Sequence, residues 1–207
     1  MRKYLLLYIL TVSFLFLYPP IIQAAEEPHV TLISSYRDLS VSQVLSISNI
    51  SIRNKHNYGF YGYSTITHHY ENKSINGDSV VTDHATGLMW HQSGSEKDMV
   101  WNEAKQWVKD LNNRGYAGYS DWRLPTVEEA VSLLESSKKA GALYIDGVFD
   151  VTQCGIWTGG ENDTASYLDS VWSVRFSGAY GGGNVCWCYD NASNYVRPRF
   201  ANLNDMA

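Results

Sequence analysis

Positive charge is scarce in this chain of 207 residues. Its 16 Lys and Arg residues face 21 Asp and Glu residues, which gives a formal net charge of −5 at pH 7. Nucleic acids and anionic membrane surfaces attract proteins through a cationic footprint. We therefore expect no nucleic-acid partner and no attraction to an anionic membrane surface.

Long apolar runs are also rare, with one exception at the start of the chain. Two basic residues at 2–3 precede the apolar run 4–18, a pair of prolines breaks it, and Ala24-Ala25 supplies small residues for cleavage. This order is typical of a secretory signal peptide, and the apolar core is too short to span a bilayer comfortably. We expect residues 1–24 to be removed. The mature protein, with no membrane span, is then periplasmic, on the cell surface or secreted.

Cysteine is limited to Cys154, Cys186 and Cys188. Export allows disulfides to form, and an odd count leaves one thiol over. If 185–189 is a strand, Cys186 and Cys188 point to one face and Trp187 to the other. We predict a disulfide from Cys154 to either Cys186 or Cys188. The alternative is a copper or zinc site made by all three thiols, although no neighbouring histidine completes a ligand set.

Charged residues make up only 18% of the chain, whereas aromatic residues make up 14% and include seven Trp. Intrinsically disordered proteins have the opposite balance, with many charges and few aromatic residues. The aromatic side chains also supply a large apolar area to bury. The composition therefore excludes disorder for most of the chain.

Local patterns predict helices in the first two thirds of the chain. Apolar residues recur at helical spacing over 100–113. Thr126 and Glu129 form a capping box that opens a second helix. Ser40 and Gln43 form a similar box before a short helical face.

Short β-like runs accompany these helices. Residues 79–83 and 88–90 predict a hairpin, and four further runs follow position 154, separated by loops rich in Gly, Asn and Asp. Helices combined with short antiparallel strands predict an α+β domain. The four runs are 156–158, 171–176, 185–189 and 195–200, and the loops are 159–166, 177–184 and 190–194.

Residues 25–76 are polar and weakly patterned. Within them, 54–70 is rich in Asn, Gly, Tyr and His, a composition typical of loops with at most a short extended piece. We therefore expect 25–76 to be an irregular N-terminal arm or small subdomain without its own core.

Motifs of the common enzyme classes are missing from the sequence, which has no nucleophile elbow, no P-loop and no dinucleotide fingerprint. Adjacent His68 and His69 would point in different directions in regular structure, so we expect no metal there. The loop residues Glu161, Asn162 and Asp163 carry oxygen atoms that suit calcium, although such loops are common on surfaces. We predict no catalytic residue, no metal ligand and no cofactor, and leave calcium open.

Five short motifs occur in one order along the chain. Together they resemble the Lcl C-terminal domain family, named for a collagen-like adhesin, over residues 77–200. The resemblance implies a C-type-lectin-like fold related to that of the formylglycine-generating enzyme. It also implies an exported binding domain, and some members of the family bind sulfated glycosaminoglycans. The motifs are VTDHATGLMW at 81–90, GYSDWRLPT at 118–126, IWT at 156–158, VWSV at 171–174 and YVR at 195–197.

Some features depart from the family pattern. The chain has no Gly-x-y collagen tract, so the resemblance implies no trimerisation through a collagen stalk, and the oligomeric state stays open. Pro198 interrupts the last predicted strand, which indicates an edge or a bulge. The three cysteines are particular to this chain. We place the family domain at 77–201 and a tail at 202–207.

Residues 177–195 are dominated by Tyr, Ser, Gly, Asn and Trp, the composition of adaptable recognition loops. If the cysteines are tied into the sheet, Trp187 turns outward, which is costly unless something covers it. We predict a ligand face around the loops 159–166 and 177–195, with Trp187 as its main anchor. In the alternative, the N-terminal arm covers Trp187, which then contributes only packing. The predicted face consists of Tyr180, Asn184, Trp187, Tyr189, Asp190, Asn191 and Asn194.

We interpret the chain as an exported binding module for a glycan or a protein surface, because aromatic rings beside Asn and Asp suit both ligands. Residues 177–195 also resemble the variable regions that retroelements diversify by adenine mutagenesis, several of which lie on C-type-lectin-like folds. The rival interpretation is a cysteine-dependent oxidoreductase or modifying enzyme of the formylglycine-generating type. It rests on kinship of fold, which does not carry function by itself.

Overall fold

The computed structural model describes residues 30–139, 141–161 and 170–200, so the expected signal peptide 1–24 and the tail 202–207 lie outside the described residues. Three α-helices and nine strands occur within these ranges. The helices are α1 (Val41–Val44), α2 (Trp101–Asn113) and α3 (Val127–Ser132), with a 3-10 turn at Tyr116–Gly118. The strands are β1 (Ile50–His56), β2 (Gly59–Ser64), β3 (Tyr70–Ile75), β4 (Asp78–Asp83), β5 (Leu88–His91), β6 (Gly155–Glu161), β7 (Ser170–Arg175), β8 (Gly183–Tyr189) and β9 (Arg199–Phe200).

The strands form two antiparallel sheets. One sheet has five strands in the order β1-β2-β8-β7-β6, and the other has four in the order β3-β4-β5-β9. Hairpins join most neighbours, while β2–β8 and β5–β9 bring strands together that are far apart along the chain. The predicted α+β class is confirmed.

The predicted helices form where the local patterns placed them. The buried face of α2 repeats at helical spacing, as expected for an amphipathic helix. Thr126 Oγ1 accepts the Glu129 N–H, and the Glu129 carboxylate accepts the Thr126 N–H, which completes the capping box of α3. The Ser40–Gln43 box opens α1 in the same way and adds a third helix.

The prediction of an irregular N-terminal arm is wrong for residues 50–75, which form β1, β2 and β3. The glycines there are required by close strand packing, although glycine in sequence indicates a loop. A Cβ on Gly59 would lie 1.9 Å from the Val185 carbonyl oxygen, and one on Gly62 would lie 2.6 Å from the Ser51 carbonyl oxygen. These contacts allow β2 to pair with both β1 and β8, so this segment is an integral part of the larger sheet.

Both faces of the larger sheet are covered. Trp172 and Val185 are buried in one apolar cluster with Phe60. Val171, the neighbour of Trp172 on β7, belongs to a second cluster that contains Trp157 and the buried face of α2. Since successive strand residues point to opposite faces, the continuous apolar run of β7 reflects burial on both sides.

The predicted strand 195–200 is shorter than expected. Within 195–200, Arg199 and Phe200 form the strand β9, which pairs with β5. Tyr195 forms an isolated bridge to Ile156. Pro198 lies between these two contacts and has no N–H to donate, so a continuous ladder cannot form across it. Arg197 turns into the interior at this break and is fully buried.

His91 is a buried histidine held in its neutral form. Its ring stacks on Tyr116 at 4.2 Å between centroids, and Nδ1 accepts the Gly94 N–H at 2.9 Å. Burial lowers the pKa of His91 to about 3, and the positive charges of Arg197 and Arg114 act in the same direction. The folded protein therefore resists protonation of His91 at pH values where the unfolded chain accepts it.

We expect this difference to make the protein less stable in mild acid. The unfolded histidine binds a proton below about pH 6.5 and the folded one does not, so stability present above this pH is lost as the pH falls, by about 1.4 kcal/mol per unit. Urea unfolding of the wild type and of His91→Asn between pH 7 and 5 measures the effect. The asparagine Oδ1 can accept the Gly94 N–H without titrating, so the variant should show a clearly shallower slope. Equal slopes would contradict the assignment.

Candidate functional site

Six aromatic rings form a continuous row beside the β2–β8 pairing. Ring centroids along it are 5.2, 5.1, 6.4, 5.1 and 6.3 Å apart. Three of these side chains are exposed, with 65% of Tyr180, 55% of Tyr58 and 51% of Tyr189 accessible. We call this set the aromatic row; in order it is Tyr180, Tyr61, His56, Tyr58, Trp187 and Tyr189.

The β1–β2 hairpin positions half of the aromatic row. Its turn carries Tyr58, whose carbonyl oxygen accepts the Trp187 N–H at 3.1 Å. Further along, Tyr61 lies directly opposite Asn184 in the β2–β8 register. Residues directly opposite in an antiparallel pair share a face, so these two side chains are neighbours.

Polar groups lie within the aromatic row. His56 Nε2 and Asn184 Oδ1 are 2.9 Å apart, and because the amide oxygen can only accept, the imidazole donates. Arg175 lies opposite Asn184 on β7 and therefore on the same face. This face of β8, which Tyr61 shares, combines an aromatic ring with an amide, an imidazole and a guanidinium, whereas Trp187 and Tyr189 point to the other face of β8.

Trp187 does not turn outward as predicted. It is half-buried and packs against the cluster that contains Trp172, its direct partner on β7. The Tyr58 ring covers it edge-on at 5.1 Å. The structure therefore agrees with the alternative, in which the N-terminal region covers Trp187.

Most of the other predicted site residues lie in or near the aromatic row, and Asn194 does not. Tyr180, Asn184 and Tyr189 lie in or beside the aromatic row, and Asn191 is exposed in the turn that follows. Asp190 is half-buried beside Tyr189, and its carbonyl oxygen accepts the Trp101 N–H. Asn194 is buried and its backbone pairs with Met99, so it lies away from the row.

Sequence reasoning missed His56, Tyr58 and Tyr61. The signal that could have found them was present, because 54–70 is rich in Asn, Gly, Tyr and His, much like 177–195. We interpreted one segment as a loop and the other as a recognition surface. The structure joins the two, since β2 and β8 are adjacent strands.

The predicted disulfide is wrong, because all three cysteines are free thiols. The Cys154 carbonyl oxygen accepts the Phe176 N–H beyond the end of β7, whereas Cys186 and Cys188 lie on β8, on the other side of that strand. Two strand spacings amount to about 9–10 Å. A disulfide requires Cα atoms within about 7 Å, so Cys154 cannot reach either partner.

The described residues contain no group of three His, Cys, Asp or Glu side chains that could hold a metal ion. His68 instead bridges two elements, with Nδ1 2.7 Å from Asp83 Oδ2 and Nε2 2.7 Å from the Ser132 carbonyl oxygen. Most of the acidic loop considered for calcium, Asn162 and Asp163, lies outside the described residues.

The GYSDWRLPT motif holds the first described segment of the chain. Tyr36 Oη donates to the Leu124 carbonyl oxygen at 2.8 Å, and Thr126 Oγ1 donates to the Ile33 carbonyl oxygen at 2.8 Å. The Ile33 N–H in turn donates to Glu128 Oε2 at 3.0 Å. A shallow pocket at this junction is lined by parts of 33–39 and by 126–128. Since these polar groups are engaged with one another, we assign the motif a structural role.

The described part of the chain has the features of a binding module: a two-sheet α+β scaffold that presents exposed aromatic rings beside polar side chains. It has no helix that is both long enough and apolar enough to cross a membrane. The chain belongs to the Lcl C-terminal domain family, whose model matches residues 79–198. The family is consistent with a surface binding module and with an extracellular location. Comparisons with curated proteins and with solved structures found no match.

Proposed function

We propose that this protein is an exported module that binds a glycan through the aromatic row. The observation that carries the proposal is the position of the exposed rings. Among the described residues six large hydrophobic side chains are exposed, and Tyr58, Tyr180 and Tyr189 are three of them. Exposed apolar residues that gather in one place mark an interaction surface, whereas scattered ones are ordinary.

The chemistry of the aromatic row suits a sugar. The apolar C–H face of a pyranose ring stacks on an aromatic side chain, and its hydroxyl groups need polar partners at fixed positions. Tyr58 and Tyr180 supply exposed rings, His56 and Asn184 supply polar groups in the same region, and Arg175 lies opposite Asn184 on β7. Asp190 and Asn191 extend the polar surface beyond Tyr189.

A protein surface is the second candidate ligand. Tyr, Asn, Ser and Gly dominate 177–195, and this composition also serves protein recognition. Screening the purified protein against a glycan array and a proteome array separates the two candidates.

We expect the double variant Tyr58→Ala/Tyr180→Ala to lose about 30-fold or more in affinity for a ligand found on the glycan array, equivalent to about 2 kcal/mol. The loss reflects the two most exposed rings of the aromatic row. The measurement is a dissociation constant from calorimetry, together with a melting temperature.

Tyr36→Ala is the matched control. Tyr36 is 47% exposed but lies outside the aromatic row, and its hydroxyl donates to a backbone carbonyl. This change should therefore destabilise the fold and leave affinity unchanged at temperatures where the variant is folded. Unchanged affinity in the double variant would show that the binding face lies elsewhere.

The cysteine-dependent enzyme has weaker support. Burial raises the pKa of both the Cys186 and the Cys188 thiols. A nucleophilic cysteine requires a lowered pKa, because the thiolate is the reactive form. Cys154 is exposed but has no histidine or acidic partner among the hydrogen bonds of the described residues.

We also propose, on the family resemblance, that the fold is C-type-lectin-like and that 177–195 is a diversified region. Early and late strands pair in both sheets, which supports the first point. Diversification would be tolerated at the exposed residues 177, 179, 180, 189, 191 and 193, whereas Gly183, Val185 and Asn194 are buried. A Cβ on Gly178 would lie 2.0 Å from the Gly182 carbonyl oxygen, so that position is restricted although it is exposed. A reverse transcriptase gene beside a near-copy of this coding segment would support the second point, and its absence would contradict it.

A further inference from the structure

Cys186 and Cys188 converge on one hydroxyl group. Ser173 Oγ lies 3.7 Å from the Cys186 sulfur and 3.6 Å from the Cys188 sulfur. The β7–β8 register explains this, because Ser173 lies opposite Cys186 and the two cysteines are alternate residues of one strand. We call Cys186 and Cys188 the thiol pair.

The thiol pair cannot form a disulfide between its own members without distorting β8. Alternate residues on a strand have Cα atoms about 6.6–6.8 Å apart, and their parallel side chains keep the Cβ atoms at a similar distance. A disulfide requires Cβ atoms about 3.8 Å apart. An ion placed between the two sulfur atoms meets no such restriction, because it bonds to each of them at about 2.3 Å.

The thiol pair has a hydrogen-bond donor and a positive charge beside it. Asn194 Nδ2 donates to the Cys188 sulfur at 3.7 Å. Arg175 lies next to Ser173 on the same face of β7, and its positive charge acts against burial, which raises the pKa of both thiols. Both cysteines are half-buried, whereas Cys154 is exposed.

We propose that the thiol pair is a binding site for a soft monovalent cation, with Cu(I) as the ion that fits best. Soft thiolate ligands favour Cu(I), zinc and iron–sulfur clusters. Of these, Cu(I) is the one that accepts two thiolates as its whole ligand set. Zinc prefers four ligands, and the described residues supply no third His, Cys, Asp or Glu at this position. Binding one Cu(I) releases the two thiol protons to solvent. The bound group then has a net charge of −1, which the Arg175 guanidinium offsets.

The proposal does not rest on the glycan-binding one, although Arg175 lies beside both sites, and the test uses the metal alone. The reduced full-length mature protein is titrated with Cu(I) under anaerobic conditions in competition with a chromogenic Cu(I) chelator. We expect one Cu(I) per chain. Cys186→Ser and Cys188→Ser should each lower the affinity about 100-fold or more, since loss of even an outer partner changes metal affinity about 10- to 100-fold.

Cys154→Ser is the matched control, because Cys154 is an exposed thiol on the far side of β7. It should bind Cu(I) as the wild type does. Alkylation of the wild type gives a second measurement that does not depend on variants folding: bound Cu(I) should protect Cys186 and Cys188 and leave Cys154 reactive. Equal binding by all three serine variants, loss of binding in Cys154→Ser, or equal affinity for Zn(II) would overturn the proposal.

Discussion

Replacement of Arg197 by methionine is expected to lower the free energy of unfolding by about 3–6 kcal/mol, because it removes the donor from one buried and two part-buried carbonyl groups at about 1–3 kcal/mol each. Arg197 is fully buried. Its Nη1 donates to the carbonyl oxygens of His91 and Gln92, and its Nη2 donates to the Asp150 carbonyl oxygen at 2.9 Å. The guanidinium also lies 5.0 Å over the Phe149 ring.

The size of the effect follows from what Arg197 connects. Two of the carbonyl groups lie at the end of β5 and directly after it, and the third lies in a loop before β6. The Arg197 side chain therefore joins these two segments to its own. Lysine cannot replace it fully, because a single ammonium group lacks the planar fork that reaches two directions at once. We expect Arg197→Lys to recover only part of the loss.

Chemical denaturation of the wild type, Arg197→Met and Arg197→Lys at pH 7 measures these differences. Arg53→Met is the control, since Arg53 is an exposed arginine whose guanidinium donates to the Tyr63 hydroxyl and lies over the Tyr63 ring. That change should cost less than about 1 kcal/mol. If Arg197→Met is too unstable to purify, the lysine variant carries the test, and a loss below about 1 kcal/mol in either variant would contradict the structural role.

Glu129→Gln should be nearly as destabilising, at about 3–5 kcal/mol, because it breaks a buried ion pair on one side only. The Glu129 side chain is fully buried, and its Oε1 lies 2.9 Å from Arg123 Nη2 and 2.5 Å from Arg199 Nη2. Its Oε2 accepts the Thr126 N–H at 2.8 Å. Every partner is a donor, and an amide has only one oxygen to offer them.

Glu128→Gln is the matched control on the neighbouring residue. Glu128 is also buried, but its carboxylate accepts one hydrogen bond, from the Ile33 N–H, which an amide oxygen can still accept. We expect that change to cost about 1 kcal/mol or less. Equal losses for the two variants in urea denaturation would show that the Arg123–Glu129–Arg199 network adds nothing beyond burial.

Features that depend on neighbouring residues could be predicted from the sequence. The capping box of α3, the periodicity of α2 and the β4–β5 hairpin formed where local patterns placed them. Each arises from contacts within one turn or one strand pair, so a short window of sequence contains the cause. The order of five motifs indicated the family, and the match of the family model to residues 79–198 confirmed it.

The aromatic row was only partly predictable. Tyr180 and Tyr189 were found from the composition of one segment, whereas Tyr58 belongs to a segment interpreted as a loop. Nothing local indicates that β2 pairs with β8, because their partners lie more than a hundred residues apart along the chain. The pairing depends on glycines that permit close approach of the strands. The reason for a glycine at 59 is the Val185 carbonyl oxygen, which leaves no room for a Cβ.

The sequence by itself determined the helices, the caps, the α+β class and the family, since each depends on local pattern or on motif order. The tertiary structure alone decided which residues share a face. It buried Arg197 and Glu129 among partners from distant segments, placed β7 between Cys154 and the other two cysteines, and covered Trp187 with Tyr58. The physical reason is that burial and contact depend on which strands lie side by side, and that choice is made by long-range packing.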